Sequence, residues 1–114
     1  MNISFEDIGM WCATCAADGV REGAVVKLSA GGTVKTCGAG EAFCGVVRCV
    51  ERDGAACSVQ LGGLAEVFYS GAAPAVGFTK LCADGTGGVK TDEGGRELLV
   101  MDVDTGKRTV VIKL

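Results

Sequence analysis

The residues best able to do chemistry in this chain are its seven cysteines, two of which stand as Cys12-Ala13-Thr14-Cys15. A C-x-x-C pair serves either as half of a zinc site or as a redox dithiol. Tetrahedral zinc takes four ligands, usually from a second such pair or from two histidines. The chain has no histidine, and Cys37, Cys44, Cys49 and Cys57 are not spaced as a second knuckle. A thioredoxin-like dithiol opens a helix after a strand in a βαβ unit, and no such unit is legible. The plainer reading is that the thiols fill core positions, where cysteine behaves as a small hydrophobe. Cys57 and Cys82 stand in apolar alternations that suit this.

The missing histidine also removes the usual base for a cysteine or serine nucleophile. Paired carboxylates exist as Asp92-Glu93 and as Asp102 with Asp104. The first pair falls in a charged, glycine-containing loop and the second at strand and turn positions that face solvent. Neither setting supplies the perturbed acidity that acid–base catalysis needs. Gly85-Thr86-Gly87-Gly88-Val89-Lys90 superficially resembles a phosphate loop. It lacks both the G-x-x-x-x-G-K-S/T spacing and the strand-to-helix setting, so it reads as a hairpin turn. The expectation is a protein that is not an enzyme, with no catalytic residues, no cofactor and no metal.

The elements that carry these residues are short and glycine-punctuated. A chain of 114 residues has the length of one domain, and 48% hydrophobic with 22% charged residues is a globular composition. Nineteen glycines beside a single proline point to turns and barrel corners. The net charge is −3 and the basic residues are scattered singly, so no nucleic-acid footprint is present. No window approaches the roughly 18 apolar residues that span a bilayer, and no membrane role is expected. Residues 1–7 have neither the basic nor the apolar region of a secretory signal. Folding in a cytoplasm with reduced thiols is the expectation.

The stretch 55–77 organises the rest. Cys57, Val59 and Leu61 alternate with Ser58 and Gln60; Gly62-Gly63 marks a sharp corner; Ala65, Val67 and Tyr69 then alternate with Glu66 and Phe68. Residues 24–28 predict a strand with Ala24, Val26 and Leu28 on one face, turning into 33–36. Residues 44–51 are apolar on both faces, as a central strand would be. Strands are also predicted at 79–83 and 89–91. The strongest hairpin signal joins 98–104 to 109–114, with Val110, Ile112 and Leu114 on one face. At most 40–43 or 72–77 forms a helical turn. Trp11, Phe68, Tyr69 and Phe78 are read mainly as core. The fold class is all-β, a compact β-barrel or sandwich of short antiparallel strands with glycine-rich turns, in a single domain spanning 1–114. Residues 1–19 read either as an extended N-terminal arm or as a first strand completing the barrel.

Three motifs follow one another: Gly23-Ala24-Val25-Val26-Lys27-Leu28, Gly40-Glu41-Ala42-Phe43-Cys44-Gly45-Val46-Val47, and Ser70-Gly71 through Pro74 to Gly77. Together with Ser58-Val59-Gln60-Leu61-Gly62-Gly63 and Leu81-Cys82-Ala83-Asp84-Gly85, this order resembles the small phage capsid decoration proteins. The resemblance covers about residues 20–114. It implies a barrel-like phage or prophage protein, made in the host bacterial cytoplasm, that binds the outside of the virion shell. Its implied partner is the major capsid protein, and its implied state is a homotrimer that cements neighbouring capsomers. The partner-binding candidates are Ile3, Phe5, Ile8, Met10 and Trp11 near the N-terminus, and Ser70, Pro74 and Phe78 in the loop 70–78. Two other readings stay open: another virion module (tail or head fibre), and a cytoplasmic thiol- or metal-dependent protein using Cys12, Cys15 and Cys37.

Overall fold

Alternation of apolar and polar side chains resolves into ten strands in a computed structural model that describes residues 10–114. In chain order they are β1 (Trp11–Asp18), β2 (Val25–Ala30), β3 (Thr33–Thr36), β4 (Gly45–Val50), β5 (Ala56–Gly62), β6 (Leu64–Phe68), β7 (Gly77–Ala83), β8 (Val89–Thr91), β9 (Arg96–Asp104) and β10 (Thr109–Lys113). Among the described residues there is no helix, and neither 40–43 nor 72–77 forms a helical turn. The all-β expectation holds.

Five strands close into a barrel in the order β1-β3-β2-β4-β5, and the other five form a sheet in the order β6-β10-β9-β7-β8. The pairing is antiparallel except at the β1–β3 seam, where Ala16, Ala17 and Asp18 run parallel to Thr33, Val34 and Lys35. An odd number of strands cannot alternate direction all the way round a closed ring, so one seam must be parallel. The other four seams are antiparallel, as the sequence reading expected, and this one seam is the exception that closure imposes. The same parity governs the second sheet, where a parallel bridge between Tyr69 and Val89 draws β8 towards the end of β6.

Each sheet contributes to a separate core. Val26, Val34, Val47, Cys57 and Val59 fill the barrel. Val25 and Val46 point the other way, into a larger core with Val67, Leu81, Val100, Val110 and Ile112 of the second sheet. Val25 and Val46 are register partners on β2 and β4, so this strand pair is the wall between the two cores. That is why 44–51 is apolar on both faces. The single-face reading of 24–28 fails for the same reason: Ala24, Val25 and Val26 are all buried, whereas Leu28 is 60% exposed. The terminal hairpin forms as expected, β9 against β10, with Val110 and Ile112 buried and Leu114 packed partly against the larger core.

The corner between the sheets is at Gly62-Gly63, where Gly63 takes φ +85°, a left-handed conformation glycine adopts without strain. Gln60, fully buried, brackets it: its Nε2 donates to the carbonyls of Gly62 (3.0 Å) and Leu64 (2.7 Å). At the start of β4, a side chain on Gly45 would meet the Gln60 carbonyl at 2.5 Å, so only glycine lets the two strands approach this closely.

Candidate interaction surface

The loop 70–76 between β6 and β7 is fixed to its surroundings at three places. Ser70 Oγ donates to Asp84 Oδ2. Arg108 Nη2 donates to the Gly71 carbonyl at 3.0 Å, and Thr79 Oγ1 donates to the Ala75 carbonyl at 2.9 Å. Pro74 is buried beneath this clamp, while Val76 and Phe78 stand out at 69% and 73% exposure. The loop residues predicted from sequence therefore separate: Ser70 is a latch, Pro74 a buried wedge, and only Phe78 is presented outward.

Phe78 belongs to a row. It pairs with Leu99 on β9, Leu99 with Lys113 on β10, and Lys113 with Leu64 on β6. In the next row, which runs Gly77, Val100, Ile112 and Ala65, the side chains of Val100, Ile112 and Ala65 are buried, so by strand alternation the first row faces outward. A shallow hollow of about 360 Å³ lies between Phe78, Leu99, Lys113 and Leu114, with Arg96 and Glu97 at its rim. Leu64, Leu99 and Lys113 were missed by sequence reasoning. Phe78 was reached as a large apolar residue closing the loop 70–78.

At the N-terminal side, Ile3, Phe5 and Ile8 lie outside the described residues. Met10 is half-buried and Trp11 opens β1. Trp11–Asp18 is thus a barrel strand, paired with β5 and β3. Trp11 faces Gly62, and a Cβ on Gly62 would touch the Trp11 side chain at 3.4 Å. The reading of Trp11, Phe68, Tyr69 and Phe78 as mainly core is corrected: Trp11, Phe68 and Phe78 are 67%, 64% and 73% exposed, and of these four Tyr69 alone is buried. Strand alternation decides this, because Phe68 and Phe78 fall on the outward positions of β6 and β7.

The cysteines and the glycine loop can be judged on geometry. Cys12 and Cys15, three apart on a strand, point to opposite faces, Cys12 outward and Cys15 towards the barrel core. Among the described residues no cluster of three Cys, Asp or Glu side chains could hold a metal ion. Cys37 is buried, and burial first, then the neighbouring Glu41 carboxylate, pushes its pKa up to about 11. Glu41 itself is held below the usual carboxylate range by the Lys27 ammonium it pairs with and by the Gly38 N–H. The glycine loop after β7 turns its donors inward: Thr86 N, Thr86 Oγ1 and Gly88 N all serve the Asp84 carboxylate, at 2.7, 2.8 and 3.1 Å. A residue of the chain occupies the place that a phosphate would take in a phosphate loop.

No protein-family model matches the chain, and comparison with curated proteins returns no significant match.

Proposed function

We propose that this protein is a non-enzymatic structural component of a phage or prophage virion. It decorates and stabilises the capsid exterior as a homotrimer bound to the major capsid protein. The order of glycine-rich motifs supports this reading. The observation that carries it is the outward row Leu64, Lys113, Leu99 and Phe78, with Phe78 on a strand whose preceding loop is clamped at Asp84, Arg108 and Thr79. A rigidly held aromatic in an apolar, charge-rimmed hollow has the character of an interface anchor. A standard interface needs about 800 Å² per partner, and a chain this small meets that demand best when several copies share one lattice contact by avidity.

The test is sedimentation of the purified protein over a range of concentrations, then cosedimentation with expanded and unexpanded capsids of the phage that encodes it. A trimer that pellets with expanded capsids is expected. A strict monomer at high concentration removes the trimer. A protein that forms trimers but leaves expanded capsids bare overturns the decoration role, and the tail or head-fibre module takes its place.

A further inference from the structure

We propose that Cys15 and Cys57 are a redox-convertible pair that closes into a disulfide across β1 and β5. The register sets them directly opposite each other on antiparallel strands. Both side chains belong to the barrel core, Cys57 buried and Cys15 packed against it while partly exposed. Two residues further along, Ala17 N donates to the Ala55 carbonyl at 3.0 Å. By the alternation of an antiparallel ladder, Cys15 and Cys57 are then a hydrogen-bonded pair, for which the Cα separation is about 5.5 Å. Disulfides accept Cα separations of about 4.4–6.8 Å. Facing Cβ atoms stand about 4.5–5.5 Å apart, against about 3.5–4.5 Å in a disulfide, so the strands draw together by about 1 Å. A bond closed under that constraint is strained and readily reduced, which makes it a reversible tie.

This pairing splits the C-x-x-C motif, since Cys12 faces away from Cys15. It also has a mechanical consequence. Beside β3, β1 is held only at Ala16, Ala17 and Asp18. A covalent tie at Cys15 locks β1 to β5 immediately beside this short seam, where Cys15 precedes Ala16.

The oxidant is a small-molecule disulfide such as oxidised glutathione. The Cys15 thiolate attacks one of its sulfurs, forming a mixed disulfide and releasing one small thiol. Cys57 loses its proton to solvent and attacks Cys15 Sγ, releasing the second small thiol. Two protein thiols become one disulfide, and the small disulfide is reduced to two thiols. Burial first, and in the free dithiol also the neighbouring Cys15, raise the Cys57 pKa; burial still acts once Cys15 is in the mixed disulfide, so the closing step quickens as pH rises. None of this depends on the proposed capsid role.

The native protein is incubated with oxidised glutathione, its remaining thiols are blocked, and peptides are mapped without reduction. Cys12→Ser, Cys15→Ser and Cys44→Ser are run in parallel; Cys44 is included because it too lies within electrostatic reach of Cys15. The expected result is a bridge between the peptides holding Cys15 and Cys57. It survives in Cys12→Ser and Cys44→Ser, is absent in Cys15→Ser, and reopens with excess reduced glutathione. A bridge from Cys15 to Cys12 or to Cys44 overturns the proposal. So do glutathione adducts with no bridge, a bridge that forms only in denaturant, or one that reduced glutathione leaves closed. The wild-type map decides by itself if Cys15→Ser fails to fold.

Discussion

Arg108 lays its guanidinium over the ring of Tyr69, 4.9 Å from the centroid, while its carbonyl accepts the Tyr69 N–H at 3.0 Å. Arg108 holds this position with φ +56°, a left-handed conformation that side chains other than glycine adopt at a cost. The same guanidinium reaches the Gly71 carbonyl. One residue thus joins the β9–β10 turn to the end of β6 and to the loop that precedes Phe78.

The first prediction follows from that contact. A double-mutant cycle of Arg108→Ala and Tyr69→Leu, read by urea unfolding, should give a coupling energy of about 0.5–1 kcal/mol, the scale of a partly exposed cation–π pair. Strictly additive single effects would show that the ring and the guanidinium lie together without interacting.

The closest approach in the barrel yields the second. At Gly45 a methyl group would sit 2.5 Å from the Gln60 carbonyl and 2.7 Å from Val59 Cγ1. Neither neighbour can yield easily, because Gln60 is bonded to both sides of the corner and Val59 is in the barrel core. Gly45→Ala should destabilise by about 1–3 kcal/mol through overpacking. Ile112→Ala, in the other core, should cost about 2–5 kcal/mol through the cavity it leaves. Denaturant midpoints measure both; a Gly45→Ala protein as stable as the wild type would mean that β4 and β5 can separate freely at this point.

Stability should fall at both ends of the pH range, for opposite reasons. At Asp84 burial pushes the carboxyl up, but hydrogen bonds from Ser70, Thr86 and Gly88 together outweigh it and hold the pKa below its ordinary value. A pKa lower in the folded than in the unfolded chain contributes stability above about pH 4, and that stability is lost as pH falls through the folded value. The thiols of Cys37, Cys44, Cys57 and Cys82 are raised, chiefly by burial. For Cys37 the rise is from 9.0 to about 11, so its contribution is complete below pH 9.0 and lost as pH rises towards 11. Urea midpoints against pH should show a plateau with two falling limbs. Asp84→Asn should flatten the acid limb and Cys37→Ala part of the alkaline one; an acid limb unchanged in Asp84→Asn would remove Asp84 from the account.

Much of the fold is written in local pattern. Ala65, Val67 and Tyr69 face inward and Glu66 outward, as their alternation predicts; Phe68 follows that alternation against its reading as core, and the Gly62-Gly63 corner and the β9–β10 hairpin stand where the turn residues put them. What local pattern does not carry is the number of cores. Val25 and Val26 are adjacent and both fully buried, which a single-core reading of a strand cannot accommodate. Their burial comes from two sheets packing on opposite sides of β2, a long-range property. The parallel seam is likewise a consequence of ring closure by five strands, invisible in either β1 or β3 alone. The candidate surface was half legible: Phe78 and Trp11 stood out as large apolar residues, but Leu64, Leu99 and Lys113 join Phe78 only through register.

The last prediction concerns that row. Phe78 is 73% exposed, so Phe78→Ser should change folding stability by no more than about 0.5 kcal/mol. An anchor at the centre of an interface behaves differently, and its loss typically costs about 2 kcal/mol or more of binding, which is more than tenfold in affinity. Phe78→Ser should therefore keep the wild-type thermal midpoint while self-association or capsid binding weakens by at least about tenfold. Lys80→Ser, one outward position along the same strand and off the row, is the control and should bind as the wild type does. Sedimentation velocity and cosedimentation with expanded capsids read both variants. If Phe78→Ser associates and binds as tightly as Lys80→Ser, the row is ordinary surface, and the contact lies elsewhere on the molecule.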